Sequence, residues 1–134
     1  MKEMYLAFLV DDDPDDHKFF KMAVSRLAVP VRCEFAYGGV EAIEMLKNIS
    51  YFNPDIIFLD INMPIMNGME CLRTMRKMEK LVNTPIYMYS TSADIYITTS
   101  CLTLGATGTI KKVPSVKLLK EMLGEIFLKQ KVNS

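Results

Sequence analysis

The chain has 134 residues, 50% of them hydrophobic and 24% charged, the size and composition of one soluble domain with a core of its own. Sixteen basic and sixteen acidic residues cancel, which removes the electrostatic case for nucleic acid or a membrane surface as main partner. No apolar run reaches the length of a membrane span, and the short N-terminal patch at 5–10 runs into acid rather than a small-residue cleavage site.

Cys33, Cys71 and Cys101 lack CxxC spacing. They read as reduced, mostly buried thiols, and a cytoplasmic location is expected. The eleven methionines read as adaptable core filler.

In chain order, residues 6–10 are a β-prone apolar run that ends at Asp11-Asp12-Asp13. Pro14 suits a first helical turn that Asp13 caps, and Phe20, Ala23, Val24 and Leu27 recur at helical spacing. Residues 31–36 form a second strand, closed by Gly38-Gly39, and Val40, Ile43 and Leu46 mark a second helix. Asn53-Pro54 breaks the chain before a strand at 56–59 that ends in Asp60. Asn67-Gly68 opens a third helix carrying Leu72, Met75 and Met78, and a fourth strand spans 86–89. A β-branched helical stretch covers about 93–104 and is ended by Gly105, with a short strand at 107–111 after it. Val116, Leu119, Leu123, Ile126 and Phe127 predict a final amphipathic helix with Lys117, Lys120, Glu121 and Glu125 toward water.

Five β-α repeats predict an α/β fold: a doubly wound, five-stranded parallel sheet of order 2-1-3-4-5 with five helices. In that order strands one and three are neighbours, so Asp11, Asp12 and Asp60 meet at the carboxyl edge of the sheet, where open α/β folds bind ligands. Clustered carboxylates are costly without a cation among them. Hard oxygen donors around a hydrated site suit Mg²⁺, or Mn²⁺.

At this point the sequence resembles the receiver domain of bacterial two-component response regulators. The matching pieces are LVDDDPDD (9–16), FLDINMPIMNG (58–68), YSTSA (89–93) and GATGTIKK (105–112). Each alone is weak; in this order and spacing they are highly specific. The resemblance implies a receiver domain over 4–129 with a short tail at 130–134. It makes Asp60 the phospho-acceptor, Asp12 a direct metal ligand and Asp11 a ligand largely through water. It also makes the Asn62 backbone carbonyl a ligand, Ser90 the hydroxyl that bonds the phosphoryl group, and Lys112 its ammonium partner, paired with Asp60 before modification. Ser92 and Asn62 fall at positions that tune the lifetime of the phosphoryl group.

The implied activity is a single-domain phosphorelay switch: a histidine kinase or histidine phosphotransfer protein donates a phosphoryl group to Asp60. The chain would catalyse only its own modification and would signal through protein–protein contacts on the face of the fourth helix, fifth strand and fifth helix. With few residues after Phe127, no output domain is expected.

Two departures from the family stand out. Val113 rather than proline follows Lys112, with Pro114 one later, and Thr109 replaces the usual aromatic switch residue. Tyr89, Tyr96 or backbone shifts are the candidates to act in place of that ring. These departures also motivate a second reading, a receiver-fold interaction module that works without phosphorylation. A calcium loop counted from Asp11 fails, because its sixth and twelfth positions are Asp16 and Met22. A haloacid-dehalogenase-type phosphatase matches only at Asp11-x-Asp13. Asp15 and Asp16 read as first-turn charges, Lys111 as a solvated lysine, and His17 as a surface residue.

Overall fold

The structure, a computed structural model, describes residues 4–91 and 94–133, the last three by backbone alone; Ser92 lies outside the described residues. The elements run β1 (Tyr5–Val10), α1 (Pro14–Ser25), β2 (Val31–Ala36), α2 (Gly39–Asn48), β3 (Ile56–Asp60), α3 (Gly68–Arg76), β4 (Ile86–Ser90), α4 (Ile95–Thr103), β5 (Gly108–Lys111) and α5 (Val116–Asn133). All strands pair in parallel in the order β2-β1-β3-β4-β5. This is the expected doubly wound sheet.

Side chains alternate across the strands and build two cores. Tyr5, Ala7 and Leu9 of β1 join Ile56 and Phe58 of β3 against Phe20 and Val24 of α1 and Leu119, Leu123 and Phe127 of α5. Phe8 and Val10 join Ile57 and Leu59 on the other face, against Ile43 and Leu46 of α2, Leu72 and Met75 of α3 and Cys101 of α4. Every residue of β3 is buried, as a central parallel strand requires. Its neighbour β1 is nearly so, with Phe8 packed edge-on to Phe52 at 4.8 Å.

Helix ends follow their local chemistry. Asp13 caps α1, its side chain accepting from the Asp15 N–H, and Pro14 takes the first turn. Asn67 caps α3 in the same way through the Glu70 N–H, and Asp94 caps α4.

The departures from expectation are local. Met78 falls beyond α3, where the chain tightens into a 3₁₀ turn at Glu79–Leu81. The helix α5 continues to Asn133, so residues 130–133 extend the helix instead of forming a separate tail. Cys71 and Cys101 are buried, but Cys33 is only half-buried because β2 lies at the sheet edge. Burial pushes the Cys33 thiol up to about 11 and the Cys71 thiol up to about 12, so both stay protonated and inert at neutral pH. All described peptide bonds are trans. Among the described residues no helix is long and apolar enough to cross a membrane.

Candidate functional site

The ends of β1, β3 and β5 and the first turn of α1 converge on one cleft of about 470 Å³, lined by Asp11, Asp12, Asp13, Asp16, Asp60, Asn62, Thr91 and Lys112. The register explains the convergence. Val10 of β1 sits beside Leu59 of β3, so the next residues, Asp11 and Asp60, stand side by side at the carboxyl edge of the sheet. Gly68 lets α3 start against this edge: a Cβ there would collide with the Asp60 carbonyl oxygen. Its own N–H bonds the Ile61 carbonyl at 2.8 Å.

Asp11, Asp12 and Asp60 each present a carboxylate oxygen within 4.8 Å of the others. Asp11 is fully buried, Asp60 is 5% exposed and Asp12 is open to solvent. Burial pushes the Asp60 carboxyl up to about 6; the Asp11 carboxylate adds to this, and Lys112 and the Asn62 N–H pull the other way. Burial likewise raises Asp11, against the Lys112 ammonium paired with it. Two acids held above their ordinary range mark a site short of positive charge. Three carboxylates of this spacing supply the hard donors that a small divalent cation takes.

Lys112 is the charge already present. Burial alone would lower its pKa, but the carboxylates of Asp11 and Asp16 beside it outweigh burial and raise it. Its Nζ lies 2.8 Å from Asp11 Oδ2, 2.8 Å from Asp16 Oδ2 and 3.6 Å from Asp60 Oδ1. The expected Lys112–Asp60 pair is therefore the longest of three. Val113 leaves Lys112 reaching the cleft, and the Lys112 N–H bonds the Ser90 carbonyl at 2.7 Å. Lys111 is exposed, as a solvated lysine should be.

Ser90 is buried at the end of β4. It lines a neighbouring cavity of about 280 Å³ with Ile61, Met88, Ile95 and Thr109, whereas Thr91 lies on the wall of the acidic cleft. The room beside Ser90 is bounded by Thr109, where a larger side chain would fill it. Tyr89 is packed into the α1/α5 core, and Tyr96 is 78% exposed on the first turn of α4.

Two residues depart from their expected roles. His17 is buried, not on the surface. Its ring stacks on Phe35 at 4.8 Å and Tyr37 at 4.3 Å, and Nε2 lies 2.6 Å from the Asp11 carbonyl oxygen. The aromatic pair at the end of β2 gives the imidazole an apolar platform, and the strand end gives it an acceptor. Asp16 is more than a first-turn charge, because it binds Lys112 across 96 residues of sequence. The signal for Asp16 was its place in the first turn of the helix that follows the acidic end of β1. For His17 it was the spacing of Phe35, in β2, and Tyr37, just past its end.

The sequence profile of the response regulator receiver domain matches residues 7–124. The chain belongs to this family. The receiver domain is thus a component of two-component signalling. It is 39% identical over 101 residues to the protein-glutamate methylesterase/protein-glutamine glutaminase of Bacillus subtilis, covering 73% of this chain and 28% of that protein. It is 31% identical over 99 residues to the transcriptional regulatory protein DegU of Brevibacillus brevis, covering 73% of this chain and 41% of that one. The receiver thus spans less than half the length of these two relatives. Among solved structures it superposes on a phosphorylated cyanobacterial phytochrome response regulator, RcpA, with a TM-score of 0.85 at 24% identity, covering 98% and 96% of the two chains. The chemotaxis response regulator CheY4 of Vibrio cholerae gives a TM-score of 0.77 at 26% identity, covering 92% and 98%.

Proposed function

We propose that this receiver, over residues 4–129, is a phosphorylation switch: a histidine kinase or histidine phosphotransfer protein modifies Asp60 in a reaction that needs Mg²⁺ or Mn²⁺. The observation that carries this reading is the meeting of Asp11, Asp12, Asp60 and Lys112 in one cleft. Asp11, Asp12, Asp60 and the Asn62 carbonyl would hold the metal. When bound, it offsets the charge of the carboxylates and of the incoming phosphoryl group.

The remaining steps belong to the chain. An Asp60 carboxylate oxygen forms the O–P bond while the P–N bond to the donor histidine breaks, and the released imidazole regains its proton from solvent. Phosphoryl transfer asks mostly for positioning and charge stabilisation. The buried strand ends supply the first and Lys112 the second. The Ser90 hydroxyl then donates to the phosphoryl group, drawing the β4–α4 connection toward Asp60 and altering the face of α4, β5 and α5. The cavity beside Ser90 and Thr109 leaves room for that movement without a rotating ring. Output is a protein–protein contact through this face, with no turnover of an external substrate, and the protein works in the cytoplasm.

Beryllofluoride, an analogue of the phosphoryl group, tests the reading. With Mg²⁺ the chain gives a bound ¹⁹F signal and shifts amide resonances at Ser90 and along α4; without the metal it gives neither. No binding under either condition would leave the phosphorylation-independent module as the better reading.

A further inference from the structure

The three hydrogens of Lys112 Nζ are unequally shared. Asp11 and Asp16 each sit at 2.8 Å, and Asp60 at 3.6 Å is beyond hydrogen-bond length. The phospho-acceptor is therefore the carboxylate that this ammonium serves least. Asp11 is also a candidate donor to a metal ion, so a bound cation competes with Lys112 for it. Asp16 lies outside that carboxylate trio, on the first turn of α1. Its side chain is 27% exposed, against 13% for that of Lys112. The one strong partner that nothing else in the cleft claims is thus the one on the helix.

We infer that Asp16 is a positioning residue which holds the Lys112 ammonium away from Asp60 and competes with a phosphoryl group for it. The inference rests on Asp60 being the phospho-acceptor. To reach a phosphoryl oxygen on Asp60, the ammonium moves toward β3 and stretches or breaks its contact with Asp16. That contact favours the unmodified state. Removing the Asp16 carboxylate therefore frees the ammonium and favours the phosphorylated form.

A beryllofluoride titration at fixed Mg²⁺ and fluoride, read by the bound ¹⁹F signal, tests this on five proteins. They are the wild type, Asp16→Asn, Asp15→Asn, Lys112→Met, and the double variant Asp16→Asn/Lys112→Met. Asp15 is an exposed acid on the same turn and controls for general charge. Asp16→Asn is expected to lower the half-saturating beryllium concentration about two- to fivefold, the size of a partly exposed ion pair. Asp15→Asn leaves it unchanged, and the Asp16→Asn gain vanishes in the Lys112→Met background. Lys112→Gln replaces Lys112→Met should the latter fail to fold. The inference is overturned if Asp16→Asn binds no better or binds worse, as loss of a simple brace between α1 and β5 would give. It is also overturned if the gain survives without Lys112 or is matched by Asp15→Asn. Failure of the wild type to bind beryllofluoride would instead overturn the phospho-acceptor reading beneath it.

Discussion

Asp60 enters the fold at a cost that depends on pH. Its carboxyl titrates near about 6 when folded, against an ordinary 3.8, so the unfolded chain gives up this proton first. Between those values the stability of the metal-free protein falls as pH rises, and the full penalty stands above about 6. Asp60→Asn removes the charge, so at about pH 8 with chelator present the variant should unfold about 1–3 kcal/mol later in urea. That gain should shrink as pH falls below about 6 and disappear only below the ordinary 3.8; a wild type equal to the variant at the higher pH contradicts the raised carboxyl. The same proton competes with metal, so Mg²⁺ affinity should drop about tenfold per pH unit below about 6, measured by calorimetric titration. Within Asp11–Asp13 the roles separate. Asp13→Ala should cost about 1 kcal/mol as a lost cap with little change in Mg²⁺ affinity, whereas Asp12→Ala should abolish Mg²⁺ binding with little loss of fold. The positions of Asp11, Asp12, Asp60 and Lys112 were legible because each follows a recognisable strand at a recognisable spacing. Asp16 and His17 were not, since their partners, Lys112 and the pair Phe35 and Tyr37, are adjacent only through the tertiary register.

At the scale of elements, the strands were legible because apolar runs bounded by Asp, Gly or Pro have few alternatives. The helices were legible where apolar residues kept a 3.6-residue period. The limits blurred where chemistry is local. Met78 continues the periodic pattern of α3 but lies past its end, and no periodicity distinguishes an α-helical turn from a 3₁₀ one. The element that the sequence marks as weakest is α4. Five of its nine residues, Ile95, Ile97, Thr98, Thr99 and Thr103, are β-branched, and Cys101 is its one buried side chain. By contrast α5 buries Leu119, Leu123, Ile126 and Phe127. Amide exchange should therefore be fast along α4 and slow along α5, and beryllofluoride with Mg²⁺ should slow α4 selectively. Uniform protection of both helices would contradict a mobile α4.

The whole molecule couples its acid cleft to its stability. A cation that binds only the folded chain stabilises it by about 2.7 kcal/mol at a hundredfold excess over its dissociation constant. Mg²⁺ should therefore raise the midpoint of thermal unfolding, and Asp12→Ala should remove that rise. The parallel order β2-β1-β3-β4-β5 makes this coupling possible, since it brings carboxylates 49 residues apart to one edge. The central claim is that Asp60 accepts a phosphoryl group in a metal-dependent reaction. Intact mass after incubation with acetyl phosphate tests it most directly, on the wild type with and without Mg²⁺ and on Asp60→Asn with it. The account predicts one added phosphoryl group, labile to base, on the wild type with Mg²⁺ and on neither of the others. An unmodified wild type, or a phosphoryl group retained by Asp60→Asn, would contradict it.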